Sequence, residues 1–551
     1  MLTAVGLFTS TGCTNVGAEV SRGRPDQRKG DVSLTPSPGH PNVTASTSIS
    51  MVPSEVYLAF RTDGQAGKGT ATDPLDVSTA AKFDAAFAAI KPAGAVHLGP
   101  GTFHTRGTAV FTVKANTKIH GAGMEVTKII QDNSGQSHAT VFEGNDGGIE
   151  IDDLSIDCGY QNQRKVNGVI KSNAAAIHLM GSNCAVRRCM VSNYGSTYDD
   201  ETGENFAVAL FGSMETDATN LIIEDCVFTG QSLLQPTGCS VATISGGPGK
   251  SDINVPHWSR GAVMRRNHFL GHHFGCHGIT MSGCQGCLVE DNYFEHFMGC
   301  AIYTDTWPLR DHIYQNNIFC DVNQAIFLAA DTWDLSNFQI RGNIIQLHDG
   351  YDVVKIEKGV VTTDIPYSLT PGKQIGFRSM KITGGSIKND QVVYVTSTPS
   401  RTTFTYSTLK DGKSDVADTA TGGFSYGVQY GCTTPTPEGI NLFSGGNAKE
   451  VHSLKNFVIS GNVVRPYSSD GKNRIPSTGI RLCGAEGSQI IDNVVFDSGN
   501  HRGIVVGSTQ QVQSSVICRN NYNIDNTQAT PVDDQGKPYT APAATGKPAQ
   551  P

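Results

Sequence analysis

Two short segments of this 551-residue chain contain the same Asp-Thr-Trp triplet, and each places a carboxylate next to an indole. The two triplets are "DTW" at 305–307 and "DTW" at 331–333. Two carboxyl groups about 5 Å apart shift one pKa upward and can divide acid and base or nucleophile roles, as glycoside hydrolysis requires. We therefore predict Asp305 and Asp331 as catalytic residues. The alternative is that each Asp caps the backbone N–H groups of its own turn.

All three tryptophans of the chain lie in the same kind of turn, directly after a short apolar strand. They are Trp258, Trp307 and Trp333. An exposed aromatic face packs against the C–H face of a sugar ring, while sugar hydroxyls reach polar neighbours. We predict all three as substrate-binding residues. The alternative is that they close the apolar edge of the turn.

A polysaccharide lyase needs a different set of groups, because it removes a proton beside a uronate carboxylate. A basic side chain takes the proton, and an Arg or a cation neutralises the carboxylate. Arg310 and His277 are predicted as catalytic on this basis, and Arg260 is a further candidate cation. The sequence does not separate a lyase from a hydrolase.

Two clusters have the residue types of a metal site. The acidic segment "YDDETGE" (198–204) could supply oxygen ligands to Ca²⁺, or it could be a solvated loop. The segment "HHFGCHGITMSGCQGC" (272–287) has His and Cys residues, but a strand separates its two halves, which disfavours zinc. Calcium therefore stays open as a cofactor, and no metal ligand is assigned.

The elements that position these residues recur with a period of about 25 residues. Short segments that alternate apolar and variable residues end in Asn, and alternation with period two is typical of a half-buried strand. Asn suits such a turn because it tolerates left-handed backbone angles and can bond to the Asn of the next coil. The pattern predicts a solenoid of stacked coils. Its Asn positions are Asn267, Asn292, Asn317, Asn343, Asn462 and Asn493.

A second strand in each coil reads "GITM", "AIYT", "AIFL", "GINL" or "GIRL", and one residue in each copy should point outward. These outward residues are His178, Thr280, Tyr303, Phe327, Asn441 and Arg481. We predict a substrate cleft along them between about residues 175 and 335, with the tryptophans as its wall. Its predicted floor comprises His178, Thr280, Tyr303 and Phe327, and we predict His178, Tyr303, Phe327 and His273 as substrate-binding residues.

The Asn-ended coils, "HLGPGTFHTRG" (97–107) and "KIHGAGMEVTKII" (118–130) resemble the right-handed parallel β-helix of the pectate-lyase (pectin-lyase-like) superfamily. The resemblance covers roughly residues 55–525. It implies that the amphipathic helix "STAAKFDAAFAAI" (78–90) plugs the open end of the solenoid, and that the second strand of each coil bears the active site. The pectate-lyase and polygalacturonase catalytic motifs are absent, so the resemblance assigns no catalytic residue.

The composition divides the chain into five parts. Residues 1–53 read as a lipoprotein-like signal, with Cys13 as the lipidated residue, and a flexible Ser/Thr/Pro/Gly-rich linker. Residues 54–351 and 431–525 are predicted as β-helix, 352–430 as a small inserted β module, and 526–551 as a disordered tail. The apolar runs are too short for a membrane-spanning helix.

The charge balance of 42 Lys and Arg against 50 Asp and Glu gives a net charge of -8, which argues against a nucleic-acid partner. The 14 cysteines do not decide the compartment. We predict an exported protein (periplasmic, outer-membrane lipoprotein or extracellular) that acts on a polysaccharide as a lyase or glycoside hydrolase. The alternative is a non-catalytic, tailspike-like glycan-binding surface protein. A membrane tether through the Cys13 lipid is the other predicted contact, and the oligomeric state is open.

Overall fold

The computed structural model describes the chain from residue 54 to residue 540 with gaps. Because the leader (1–53) lies outside the described residues, its lipoprotein-like signal stays a prediction. The described residues are 54–105, 111–132, 141–159, 174–194, 205–212, 216–229, 240–246, 257–274, 277–304, 308–330, 333–365, 369, 371–400, 402–410, 412–415, 417–427, 437–444, 446–447, 450–467, 475–497, 501–509, 512–533 and 535–540.

Within these residues, four parallel sheets run along a solenoid and differ in length. The 14-stranded sheet consists, in spatial order, of Leu75–Asp76, Glu55–Ala59, Ala95–Leu98, Lys118–His120, Glu150–Asp152, Ala185–Arg187, Ile222–Glu224, Val263–Arg265, Leu288–Glu290, Ile313–Gln315, Gln339–Arg341, Val458–Ser460, Ser488–Ile491 and Val516–Arg519. The 12-stranded sheet consists of Gly101–Thr105, Thr127–Gln131, Ser155–Asp157, Met190–Ser192, Val227–Thr229, His268–Phe274, Tyr293–Phe297, Ile318–Val322, Ile344–Leu347, Val463–Pro466, Val494–Val495 and Tyr522–Asn523.

The other two parallel sheets carry the predicted site. The 11-stranded sheet consists of Phe111–Thr112, Phe142–Gly144, Ala174–Met180, Asn205–Phe211, Ser240–Ser245, His277–Ser282, Cys300–Thr304, Gln324–Ala330, Glu438–Ser444, Ser477–Cys483 and His501–Gly507. The 7-stranded sheet consists of Ala218–Thr219, Ser259–Arg260, Cys284–Gln285, Leu309–Arg310, Leu335–Ser336, Leu454–Lys455 and Ala485–Glu486. One coil visits the 14-, 12-, 11- and 7-stranded sheets in that order, so strands of successive coils stack in parallel.

The predicted asparagine ladder is present and extends to Asn521. In each step, the Oδ1 of one Asn accepts from the side-chain Nδ2 of the preceding Asn, as between Asn267 and Asn292 at 3.0 Å. Cys226 occupies the same position one coil earlier, and its backbone N donates to Asn267 Oδ1 at 3.0 Å. One expectation was wrong: the left-handed residue is the one before the ladder position, such as Asp291 with φ 55°. Arg, Asp, Asn or Gly therefore takes the left-handed position of the turn, and the ladder Asn that follows supplies the hydrogen bonds.

The interior of the solenoid is one continuous apolar cluster, with aromatic rings stacked from coil to coil. The rings of Phe228, Phe269, Phe294 and Phe319 follow one another with centroid separations of 5.0, 4.7 and 4.9 Å. Such offset stacks add about 0.5–1.5 kcal/mol per pair beyond area burial. The core thus holds neighbouring coils in register from inside.

The single helix of the described residues, Ala80–Ala88, covers the first coils as predicted. Thr79 is its N-cap and accepts from the backbone N of Lys82 at 3.3 Å. Phe83 and Phe87 are buried, and the Phe87 ring lies 4.7 Å from that of Phe111. The helix therefore seals the open end of the apolar interior. In the part of the chain that the structure describes, no helix has the length and apolar character needed to cross a membrane.

The predicted insert forms an eight-stranded antiparallel sheet with its own apolar core. Met298 of the solenoid packs into that core beside Tyr351, so the insert rests on the coils. The insert's strands, in spatial order, are Val360–Thr363, Thr403–Ser407, Val392–Ser400, Gln374–Arg378, Phe424–Gly427, Tyr351–Glu357, Thr419–Thr421 and Lys381–Gly384. A two-stranded hairpin, Gly446–Asn447 with Glu450–Val451, follows later in the chain.

The C-terminal boundary differs from the prediction of a disordered tail from residue 526. Ala529 is buried, and Val532 pairs with Val505 of the 11-stranded sheet. The Tyr539 hydroxyl accepts from the backbone N of Val516 at 3.2 Å. Described residues up to 540 therefore cover the last coils, because a few apolar side chains in this polar segment suffice to anchor it; residues 541–551 lie outside the description.

Candidate functional site

The predicted outward residues of the 11-stranded sheet fall on one line. Strand register connects them through eight successive coils. The line is His178, Ala209, Thr243, Thr280, Tyr303, Phe327, Asn441 and Arg481.

The middle of this line is covered rather than open. Tyr303 and Phe327 are 5% and 4% exposed, and their rings stack with centroids 5.8 Å apart. The ring of His277 continues the stack on Tyr303 at 4.2 Å. Burial lowers the pKa of His277 to about 4, so its imidazole is neutral at pH 7. The predicted cleft floor is therefore an aromatic stack that a ligand could contact only by its edges.

A polar network next to this stack was not predicted. The Glu438 carboxylate is almost fully buried and lies 3.1 Å from Nε of Arg481. Gln324 Nε2 donates to Glu438 at 3.3 Å, Asn441 Nδ2 also donates to it, and Cys300 Sγ donates to Gln324 Oε1 at 3.1 Å. A repeated pattern in the sequence pointed to this network. Cys300, Gln324 and Glu438 are the first residues of the segments "CAIYT", "QAIFL" and "EGINL", and they pair in register from strand to strand.

The edge between the 11- and 7-stranded sheets carries an exposed aromatic and charged surface. The guanidinium carbon of Arg310 lies 4.1 Å from the centroid of the Trp258 ring. Asp217 accepts from the backbone N of Trp258 at 2.7 Å and from Arg260 Nε at 2.6 Å. Arg260 in turn donates to Gln285 in the next coil. Arg310 thus covers one face of the partly exposed indole, and Asp217 holds the backbone of Trp258. We call the surface of Trp258, Arg310 and Trp333 the tryptophan edge.

The described carboxylates along the tryptophan edge are all held in their ionised form. Burial is the largest single effect and raises the pKa of Asp217, but the hydrogen bonds from Arg260 and the backbone N of Trp258, together with the positive charge of Arg260, lower the pKa overall. Hydrogen bonds from Asn337 and Gln285, at 2.8 Å each, lower the pKa of Asp311. An ionised carboxylate cannot donate a proton to a leaving group.

Asp334, which follows Trp333, behaves in the same way. Burial alone would raise its pKa, but Lys455 Nζ lies 2.6 Å from Oδ2 and the pKa is lowered. The backbone N of Ser453 donates to its other oxygen at 2.8 Å. Asp334 therefore anchors the turn that carries Trp333 and is unsuited to general-acid catalysis.

Several solved structures align with this chain at low identity. No family model and no curated protein sequence matches it. The PfbA surface adhesin of Streptococcus pneumoniae aligns over 84% of this chain and 92% of its own, with 11% identity and a TM-score of 0.45. A mutant tailspike protein of an Escherichia coli bacteriophage, in complex with a pentasaccharide, aligns over 81% and 63%, with 12% identity and a TM-score of 0.47.

The A-module of the Azotobacter vinelandii mannuronan C-5 epimerase AlgE4 aligns over 80% of this chain and 92% of its own, with 14% identity and a TM-score of 0.37. The four parallel sheets of the chain, stacked coil on coil, make its fold the predicted right-handed parallel β-helix.

Three predicted residues of the β-helix lie outside the described residues: Asp305, Trp307 and Asp331. Further along the chain, Arg310 pairs in register with Ser336 of the next coil. Positions 305 and 331 both lie five residues before this pair along the chain. His273 is in a described strand, but its side chain is outside the description.

The candidate metal clusters stay untested or unfavoured. The acidic segment 198–204 lies outside the described residues. Cys284 donates to the backbone carbonyl of Ile244 at 3.3 Å, and burial raises its thiol pKa, as expected of an inert core thiol. Among the residues that the structure describes, no group of three or more His, Cys, Asp or Glu side chains is placed to hold a metal ion.

Proposed function

We propose that this β-helix recognises a polysaccharide along the tryptophan edge. The observation that carries the proposal is the contact of Arg310 with the Trp258 ring at 4.1 Å. A cation over one face of an indole holds the ring in a fixed orientation. A preordered, partly exposed ring loses little entropy when a sugar packs against it.

Polar groups beside the rings supply the second element of sugar recognition. Gln285, Asp311 and Asn337 form a continuous hydrogen-bonded row across three coils, with 2.8 Å contacts between successive members. Such a row offers both donors and acceptors to sugar hydroxyls at a spacing of about 4.8 Å. An elongated sugar chain lying along the solenoid axis would meet the same kind of groups in each coil.

Cleavage of the bound chain is the second candidate function. It is favoured by the sequence, in which Asp305 and Asp331 stand five residues before Arg310 and Ser336, a pair in register between successive coils. Because the described carboxylates of the tryptophan edge are ionised, we assign the acid for hydrolysis to this pair. A lyase would instead use Arg310 to neutralise a uronate, which competes with its contact to Trp258. Hydrolysis is therefore the better supported chemistry of the two.

Binding is tested with the full chain on a panel of immobilised polysaccharides. We expect Trp258→Ala and Trp333→Ala each to weaken binding about tenfold or more, as loss of a central aromatic contact does. Phe60→Ala is the control, because Phe60 is an exposed aromatic residue away from the edge. If neither tryptophan variant differs from Phe60→Ala on any bound glycan, the tryptophan edge is not the binding surface.

Cleavage is tested on the glycans that bind. Release of reducing ends without ultraviolet absorbance indicates a hydrolase, and absorbance of an unsaturated uronate indicates a lyase. Asp305→Asn and Asp331→Asn should abolish product while binding persists. Binding with no product from the wild-type chain would remove the enzymatic function and leave recognition. Export and a Cys13 tether stay predictions that accompany this proposal.

A further inference from the structure

The outer face of the 12-stranded sheet has an apolar stripe that the proposed function does not use. The first residue of eight consecutive strands points outward and forms one line in register. Seven of the eight are apolar or aromatic, where a solvated sheet face would normally carry polar residues. The line is Val227, His268, Tyr293, Ile318, Ile344, Val463, Val494 and Tyr522.

The stripe is open to solvent at its centre. Ile318 and Ile344 are 39% and 41% exposed, and Tyr522 near the end is 42% exposed. The insert leaves the solenoid at Tyr351, only a few residues after Ile344, and does not cover it. With coils about 4.8 Å apart, the eight positions span about 34 Å. A contiguous exposed apolar surface of this length marks an interaction site.

A second outward line runs beside the stripe, and its charges are arranged symmetrically. Glu295 is in the coil before Ile318, and Arg465 is in the coil after Ile344. Between them the line has only the uncharged Cys320 and Gln346. Arg465 is exposed and makes no ion pair within the described part of the chain.

We propose that two copies of this chain pack stripe against stripe about a two-fold axis that runs parallel to the strands, between the coils of Ile318 and Ile344. With this axis, the coils of the two copies stack in opposite directions. Each outward line of one copy then faces the same line of the second copy. Ile318 then faces the second copy's Ile344, and Glu295 faces its Arg465. Two identical charge pairs form, one on each side of the axis.

The outer coils also match under this operation. Leu270, beside Glu295 in register, faces Phe496 of the second copy, and Val227 faces Tyr522. An axis along the solenoid would instead place Glu295 and Arg465 against apolar residues of the stripe. Glu295 would then keep only the His268 and His296 side chains, at 3.5 and 3.2 Å, and Arg465 would have no carboxylate opposite it. Burying the charges in that way is costly, so they select the antiparallel arrangement.

The test is sedimentation equilibrium of the full chain over a range of concentrations. We expect a dimer of twice the 58.6 kDa chain mass. Glu295→Arg and Arg465→Glu should each weaken dimerisation about tenfold or more, because like charges then face each other. The double variant restores opposite charges and should recover the wild-type association. Restoration distinguishes a direct contact from a folding defect, which thermal unfolding of each variant checks separately.

Ile318→Lys should also give monomers, and Ile517→Lys is the matched control. Ile517 is a 54% exposed isoleucine on the outer face of the 14-stranded sheet, so its substitution should leave the dimer intact. A monomer at every concentration overturns the proposal, as does a double charge variant that stays monomeric. If Ile318→Lys abolishes polysaccharide binding by a monomeric chain, the stripe is a sugar surface and the proposal is wrong.

Discussion

Asn317 accepts two hydrogen bonds from Asn292, with its Oδ1 3.0 Å from the side-chain Nδ2 and 3.1 Å from the backbone N. Asn317 donates its own Nδ2 to the Oδ1 of Asn343 at 3.0 Å and to the backbone oxygen of Val289 at 3.0 Å. Every polar atom of this fully buried amide is thus engaged with a neighbouring coil. The ladder stabilises the stacking of coils, because removing one Asn leaves the buried amides of the neighbouring Asn residues without their hydrogen-bond partners.

Asn317→Ala should lower the free energy of unfolding by about 3 kcal/mol, since buried donors of Asn292 lose their acceptor. Urea denaturation measures the change. Asn316→Gly is the control: Asn316 is exposed, has φ 56° and precedes the ladder position, where the next coils have glycines. Its effect should stay within about 0.5 kcal/mol. Equal losses from both substitutions would contradict a ladder role for Asn317.

Acid should destabilise the fold through histidines that are buried in neutral form. Burial lowers the pKa of His277 and His312 to about 4 and that of His501 to about 3. The unfolded chain, with a His pKa of about 6.5, therefore binds protons first as the pH falls. The free energy of unfolding should decrease between pH 6.5 and about 4, by up to about 3 kcal/mol per group. Chemical denaturation at a series of pH values measures this slope.

His312→Phe tests one of these groups by itself. His312 stacks on Phe338 at 4.9 Å, and Phe457 continues the stack at 4.7 Å, so a phenyl ring fits the same line. The variant loses the hydrogen bond from Nε2 to Cys284 O and the one from the Tyr314 hydroxyl to Nδ1, and should be about 1–2 kcal/mol less stable at pH 7. Its loss of stability on acidification should be smaller than that of the wild type. His104→Phe, at an exposed site, should leave the wild-type pH profile unchanged.

The contact of Arg310 with Trp258 predicts a spectroscopic change. In a Trp307→Phe/Trp333→Phe background, Trp258 is the only fluorophore of its type. Arg310→Gln should make its emission more accessible to acrylamide, because the guanidinium no longer covers one ring face. The loss in stability should be small, about 0.5–1 kcal/mol. Arg519→Gln, in the 14-stranded sheet, serves as the control, and identical quenching in both variants would exclude the stacked geometry.

The repeat made the stacking direction and the outward line predictable from sequence. Asn spacing of 25 residues fixes which strands are neighbours, and period-two alternation fixes which face each residue occupies. The solvent exposure of that line was not predictable. Tyr303 is stacked by His277 and Phe327 is contacted by Phe443, and strand periodicity carries no information about whether such neighbouring rings close over each other.

The Glu438 network was missed for a related reason. Gln324 and Glu438 are neighbours in the 11-stranded sheet although the insert separates them by 114 positions in the chain. The insert interrupts the period of about 25 residues, so Cys300, Gln324 and Glu438 do not recur at a regular spacing in the sequence. A comparison of the residues that directly precede the "AIFL"-like segments would have identified the network.

The pair of Glu438 and Arg481 gives the last prediction, because its two partners differ in exposure. The Glu438 side chain is 1% exposed and that of Arg481 is 18% exposed. Removing the cation takes the charge of Arg481 away from a buried carboxylate, which keeps the neutral donors Gln324 and Asn441, so Arg481→Met should lower the free energy of unfolding by about 3–5 kcal/mol. Glu438→Gln/Arg481→Met removes both charges and should be more stable than Arg481→Met alone, since Gln can still accept from Asn441.

Lys455→Met is the matched control for this prediction, because it breaks the exposed pair with Asp334. Exposed ion pairs contribute about 0–1 kcal/mol, so its effect should be several-fold smaller. Urea denaturation at one pH measures the free energy of unfolding of the wild type, of the two single variants and of the double variant. Raising the salt concentration should narrow the difference between wild type and Lys455→Met, while the cost of Arg481→Met should persist, since a buried pair is poorly screened. If Arg481→Met costs no more than Lys455→Met, the Glu438 carboxylate reaches solvent and the network does not fix the outer face of the sheet.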